Sequence, residues 1–296
     1  MRKAYIQLHL SIFLWGFTGV FGRGIHLSAG VLVWYRLLIT VLILLLMAWW
    51  NKNFVAVRGA KLFRLSYIGF IVALHWLFFY GSIKASNASI GLSCLSTISV
   101  FTCLLDPIIN KKKIHFGEVA LALLSGFGML MIFRVQEFHR TGIILGLLAA
   151  FLSSYFTILN KKLSAELPSE TITLYELGSG LVWLTLLMPL YLYFFPTKEL
   201  LPTGNDWLLL PVFCIFCTVI PFNLSLKALK KLTAYTSNLS INLEPVYGIL
   251  LAFFFFHEQT ELQPGFFIGT AIILLAVVLF MIMKHRTEIR AMIKRN

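Results

Sequence analysis

The sequence predicts an all-α integral membrane protein: ten transmembrane helices arranged as two inverted five-helix repeats. Three observations predict it. The 296 residues are 59% hydrophobic and only 12% charged, whereas a soluble domain is about half apolar and about a quarter charged. So little charge cannot solvate a globule of this size, and so much apolar surface excludes disorder. Apolar runs recur along the whole chain, each long enough to cross hydrocarbon as a helix of about 20 residues. The cations alternate with the runs. With the N-terminus inside, nineteen of the 25 Lys and Arg fall in inside loops and tails, five fall outside, and one, Arg36, lies within a run. That bias is the positive-inside pattern, and it places both termini in the cytoplasm. The net charge of +13 therefore reports topology and does not mark a nucleic-acid partner.

The runs are read in order as follows. Residues 5–25 follow Met1-Arg2-Lys3, but they lack a small-residue cleavage site and carry Trp15 and Gly16, Gly19 and Gly22, so they form a retained span and not a signal peptide. Those glycines recur every three residues and give one nearly flat packing face. Run two, 28–50, carries Arg36 and ends at Asn51-Lys52-Asn53; run three, 62–83, carries His75 and ends in Ser82-Ile83-Lys84-Ala85. Run four, 88–109, carries Ser89, Ser93, Ser96 and Thr97, with Asp106 near its cytoplasmic end beside Lys111–Lys113, where a surface-facing ion pair is expected. Runs five and six are 115–134 and 141–160; run seven, 169–195, carries Glu176. Run eight, 207–226, contains Cys214-x-x-Cys217, which lacks a second ligand pair and is read as buried thiols together with Cys94 and Cys103. Run nine, 233–256, carries Glu244-Pro245, and run ten is 263–283.

The halves, 1–136 and 137–296, repeat one another. Ser82-Ile83-Lys84-Ala85 matches Ser225-Leu226-Lys227-Ala228, Ala88–Leu105 aligns with Ala234–Leu251, and Val33–Leu37 lies opposite Thr173–Leu177. Five spans per half is odd, so the second copy enters the membrane upside down. Inverted repeats with a midplane site between them are a recurrent transporter design.

The motifs then resemble a known family. Leu14-Trp15-Gly16-Phe17 opens the first span, Arg36 stands in the second, and Asn242-Leu243-Glu244-Pro245-Val246-Tyr247 runs through His257-Glu258 to Gly265 and Gly269. Together they resemble the drug/metabolite transporter superfamily, specifically bacterial ten-helix EamA-type permeases. The first half departs from the pattern at Ser99, in place of a proline, and at Asn110-Lys111-Lys112-Lys113, in place of an acidic residue. The resemblance implies a multi-pass protein of the bacterial inner membrane. It implies export of amino acids or related compounds, and spans 1, 3, 4, 6, 8 and 9 around a central cavity. To the cavity it adds Trp15, His75, Trp76, Tyr80 and Asn223.

Ionisable groups in hydrocarbon cost about 2.5–3.5 kcal/mol and are functional candidates by default. Glu244 leads them: it lies mid-span, and Pro245 after it removes an N–H and frees the carbonyl of Ile241, a break tolerated only against protein or a water-filled cavity. Ser237, Ser240 and Glu244 share a helical face, with Asn238 and Asn242 beside them; the stripe either lines the cavity or forms a packing seam. Ser93, Ser96 and Thr97 make a companion stripe with the same two readings. Glu244 and His75 are the proton-coupling candidates, although a mid-span histidine is also an ordinary core residue. Glu244 fits equally the ammonium group of an amino-acid-like solute. Arg36 and Glu176 occupy repeat-related positions; they are read as separate structural charges, each snorkelling to its own interface, against the alternative of a salt bridge. No metal-ligand spacing, phosphate loop or nucleophile elbow occurs, so no cofactor or metal is expected. A membrane enzyme acting on lipid-linked substrates is the rival class, but His115, Glu118, His139, His257 and Glu258 fall on different membrane faces. An uncoupled facilitator is a further rival. The expected partners are a small-molecule substrate and the bilayer, for a monomer or a homodimer.

Overall fold

The computed structural model describes residues 2–50, 54–111, 116–135, 139–241 and 243–293; the expected junction of the halves at 136/137 and the site candidate Asn242 lie outside them. Among the described residues there is no β-strand. Fourteen α-helices follow in order: α1 Arg2–Gly16, α2 Thr18–Gly24, α3 Ala29–Trp50, α4 Gly59–Ala85, α5 Ala88–Leu95, α6 Ile98–Asn110, α7 Phe116–Val135, α8 Arg140–Glu166, α9 Ser169–Phe194, α10 Asp206–Cys214, α11 Ile220–Leu229, α12 Ala234–Ile241, α13 Glu244–Phe256 and α14 Pro264–Ile293. Eight helical stretches are long and apolar enough to cross a membrane; α7 and α14 contain shorter apolar segments, Val119–Ile132 and Pro264–Ala276. Large apolar side chains are exposed along these helices, with Trp49 and Trp50 at the end of α3 and Tyr193 and Phe194 at the end of α9, as aromatic girdles at an interface require. All four cysteines are buried, and none forms a disulfide among the described residues.

Four apolar runs are built from two helices each. The first breaks at Phe17, where the Phe17 N–H reaches Leu14 O at 3.3 Å and Thr18 Oγ1 donates to Trp15 O at 2.6 Å. The fourth breaks at Ser96 and Thr97: Ser96 N–H bonds Ser93 O, and Thr97 bonds Cys94 O through both its N–H (3.0 Å) and its hydroxyl (2.7 Å). No proline is needed there, because hydroxyl back-bonding and three-residue bonds tighten the turn until the helix axis resets. The ninth breaks between Ile241 and Glu244, with Pro245 in the first turn of α13, as the sequence predicts. In the eighth, a π-helical turn, Ile215–Val219, joins α10 to α11. In the aligned segments 88–105 and 234–251 the two breaks fall at equivalent positions.

Packing follows the same two-fold logic. α1 lies on α11 and α8 on α4, α3 lies on α9, and α7 lies on α14; exchanging the halves exchanges these contacts. The broken helices cross antiparallel, α5 against α13 and α6 against α12. The glycine face of the first run lies where the sequence expects close packing: a Cβ on Gly16, Gly19 or Gly22 would come within 2.7 Å of Tyr247, Leu92 or Tyr80. Ser237 and Ser240 lie on α12 and Glu244 opens α13, so the break falls within the expected stripe.

Candidate functional site

A cavity starts at the helix breaks and extends to Asn160 and Leu229, near the ends of α8 and α11. Those ends carry Lys161, Lys162, Lys230 and Lys231. Among the expected site residues it gathers Trp15, His75, Trp76, Tyr80 and Glu244. It also takes in residues that sequence reasoning did not assign to it: Thr18, Arg36, Ser153, Thr157, Asn160 and Ser225, with Phe79, Phe156 and Phe222 among its apolar walls.

Arg36 is held in place by α4 and the π-helical turn. Its Nη1 donates to Tyr80 OH at 2.6 Å, its Nε to Thr218 Oγ1 at 2.9 Å, and its Nη2 to the carbonyl of Cys217 at 3.0 Å. That carbonyl is available for a local reason. The α-helical donor to Cys217 O is the N–H of residue 221, and residue 221 is proline. The guanidinium lies over the Trp76 ring, 3.7 Å from its centroid, with Phe213 at 4.6 Å. Three of its five N–H groups have partners among the described residues, and Arg36 lines the cavity. Arg36 is 2% exposed, so the expected snorkelling does not occur; the Cys217 carbonyl of the π-turn and the Trp76 face replace water as its environment.

Glu244 stands at the start of α13, on the wall of the same cavity. Its nearest donor among the described residues is Thr18 Oγ1, 3.4 Å from Oε1, longer than an effective O–H···O bond. The single Thr18 proton is already committed to Trp15 O at 2.6 Å. The carboxyl is therefore left open toward the cavity. His75 donates from Nδ1 to Ala149 O at 2.8 Å and lies among Phe79 and Phe156. Its environment is that of a tethered wall residue.

The other candidates sit elsewhere. Ser93, Ser96 and Thr97 are buried in the break between α5 and α6. Asn238 donates to Thr102 Oγ1 at 2.8 Å, joining α12 to α6. Asn223 accepts from Thr173 Oγ1 at 2.9 Å and donates to Val219 O, tying α9 to α11. Glu176 is fully buried and accepts from Asn160 Nδ2, so it neither snorkels nor shares a hydrogen bond with Arg36. Asp106 is also buried, accepting from Asn110 Nδ2 at 2.5 Å; packing within the bundle takes it away from the surface expected for it.

The opposite end of the bundle is fastened by Glu258. This carboxylate is 0% exposed. It accepts from the N–H groups of Ala88 (3.0 Å) and Ser89 (2.8 Å) and from Ser89 Oγ, so it caps α5. It is also salt-bridged to Arg23, whose second nitrogen reaches Glu261 at 3.1 Å and whose guanidinium lies 5.0 Å from the Phe256 centroid. The junction ties the end of α2, the start of α5 and the turn after α13 together.

A model of the EamA-like transporter family matches residues 2–134 and again residues 140–282. The chain is 23% identical over 256 residues to the uncharacterized transporter YxxF of Bacillus subtilis (strain 168), covering 84% of this chain and 80% of that protein. It is also 23% identical over 295 residues to an uncharacterized transporter of Archaeoglobus fulgidus, covering 96% of this chain and 99% of that one. A crystal structure at 15% identity superposes with a TM-score of 0.68 over 93% of this chain and 96% of its own, a likeness of fold. With its family model matched once in each half, and with apolar helices enough for many membrane crossings, the chain belongs to the EamA-like transporter family.

Proposed function

We propose that this protein is a secondary transporter of the bacterial inner membrane that exports small zwitterionic metabolites, such as amino acids or related compounds, by alternating access. Ten spans form two inverted five-helix repeats, and both termini are cytoplasmic. The observation that carries the reading is a buried cation and a buried acid on one cavity wall: Arg36, with three of its five N–H groups bonded, and Glu244, with no donor closer than 3.4 Å among the described residues. Such groups are costly in a membrane and suit a solute that brings one carboxylate and one ammonium. The Trp76 and Phe79 faces suit its apolar part. The matching helix breaks and the antiparallel crossing of α5–α6 with α12–α13 support the inverted arrangement. Because the cavity reaches the lysine-rich ends of α8 and α11, this conformation faces the cytoplasm.

A thermal-shift screen of purified protein tests the function. A zwitterionic ligand is expected to stabilise by about 2.7 kcal/mol at a hundredfold over its dissociation constant. Its amide and its decarboxylated amine are expected to stabilise far less. Equal stabilisation by all three removes the zwitterion reading. Orientation is tested separately: a phosphatase active only outside the cytoplasm is expected to be inactive when fused at the C-terminus, and a fluorescent protein fused there is expected to fluoresce. The opposite pattern breaks the ten-span topology.

A further inference from the structure

Glu176 lies in α9 about 10 Å along the helix from Ser169, and it is 0% exposed. Its Oε2 accepts from Asn160 Nδ2 at 3.1 Å. Its Oε1 has no hydrogen-bond partner among the described residues, and neither has Oδ1 of Asn160, itself buried. Two orphaned acceptors on two side chains already joined by one bond amount to a missing donor, an arrangement that native interiors rarely tolerate. Turning the amide over does not supply it: Oδ1 would then face Oε2 at the same 3.1 Å, acceptor against acceptor. A single proton does. Bound to Oε1, it makes the carboxyl a donor, and a carboxyl–carboxamide pair can then offer an O–H to Oδ1 while Nδ2–H serves Oε2.

The ionisable groups on the helices packed against α9 are either engaged elsewhere or, like Arg64 and Lys162, exposed. On α8, Lys161 donates to the carbonyls of Leu229 and Lys230, and Tyr155 meets Tyr67 of α4. On α11, Lys227 pairs with Glu170. On α4, His75 holds Ala149 O, Lys61 pairs with Glu166, and Arg64 is exposed. On α3, Arg36 is held by Tyr80, Thr218 and Cys217, and Tyr35 stands against Trp34 and Trp207. Within α9, Tyr175 accepts from the Val57 N–H.

We infer that Glu176 and Asn160 form a proton-binding site, filled in this conformation, whose proton exchanges with the cavity through Asn160. Binding forms one O–H bond on Oε1 and neutralises the carboxylate; release returns the proton to water at the inner mouth. As a role, this rests on the transport reading: the proton is then the coupling ion, and it does not compete with the solute for Glu244.

Infrared pH-difference spectra of the purified full-length protein in phosphatidylcholine nanodiscs test the site without any transport assay. The expected result is a protonated-carboxyl carbonyl band that shifts in D2O. It should be lost in Glu176→Gln, displaced in Asn160→Ala, and kept in Glu244→Gln. Gln offers Oδ1 the same donor as the protonated acid, so this variant should fold; should it not, a displaced band in Asn160→Ala supports the site and an unmoved band overturns it. A spectrum unchanged by Glu176→Gln also overturns it. Loss of transport activity with the band intact would count against the transport reading alone.

Discussion

Replacing Arg36 by lysine is expected to weaken binding of a carboxylate-bearing solute by about 2–5 kcal/mol, the usual cost of truncating one partner of a buried hydrogen-bonded charge pair, or roughly thirty- to several-thousand-fold in Kd. Charge is kept, but the planar fork is not. An ammonium cannot satisfy Tyr80 OH, Thr218 Oγ1 and Cys217 O together while lying flat on Trp76. The carbonyl that Pro221 deprives of its helical donor is then left bare. Titration calorimetry with a zwitterion and with its decarboxylated amine separates the causes. The zwitterion should lose affinity and the amine should not. Equal loss for both would mean that Arg36 only holds the cavity in shape.

Gly69→Ala is the second large effect, this time on stability. A Cβ at Gly69 would stand 2.1 Å from the carbonyl oxygen of Glu176 and 3.1 Å from the Gly180 nitrogen; one at Gly180 would stand 2.9 Å from Gly69 O. Both obstacles are backbone, so no side chain can rotate away. α4 and α9 must separate, and overpacking of this kind costs about 1–3 kcal/mol, occasionally more. Gly178→Ala, two residues from Glu176 in the same helix, meets nothing within 4 Å and is expected to be near neutral. The fall in Tm of one variant against the other measures the contact. Equal Tm values would show that α4 and α9 do not pack this closely.

The spans were legible because length and apolarity act locally: about twenty residues must be apolar to cross hydrocarbon, wherever the chain goes next. The break at Glu244-Pro245 was legible because proline acts on its own helix. The break at Ser96 and Thr97 was not, since serine and threonine also occur in straight helices and only the back-bond of Thr97 to Cys94 tells the cases apart. Glu244 was legible as a lone acid mid-span. Arg36 was visible as a charge, but its place on the cavity depends on Trp76 and Tyr80 from α4, Thr218 and Cys217 from the π-turn, and Pro221 from α11. No spacing along one helix encodes that convergence. The Glu176–Asn160 pair escaped for the same reason, its partners lying on different helices.

The Glu258 junction has one more consequence. In the first half, Lys112 occupies the place aligned with Glu258, so the sequence does not repeat the acidic residue of this clasp in the other half. A carrier fastened unequally at its two ends does not idle evenly between trips: each 1.4 kcal/mol of difference is about tenfold in dwell time. On the proposed transport cycle the empty protein rests with its mouth to the cytoplasm, and an outward opening is expected to unseat Arg23 from Glu258. Part of that clasp is wet. Glu261 is 44% exposed, and salt weakens exposed pairs. On that proposal, salt in the medium at the Glu258 end is expected to ease the opening there and so to change turnover.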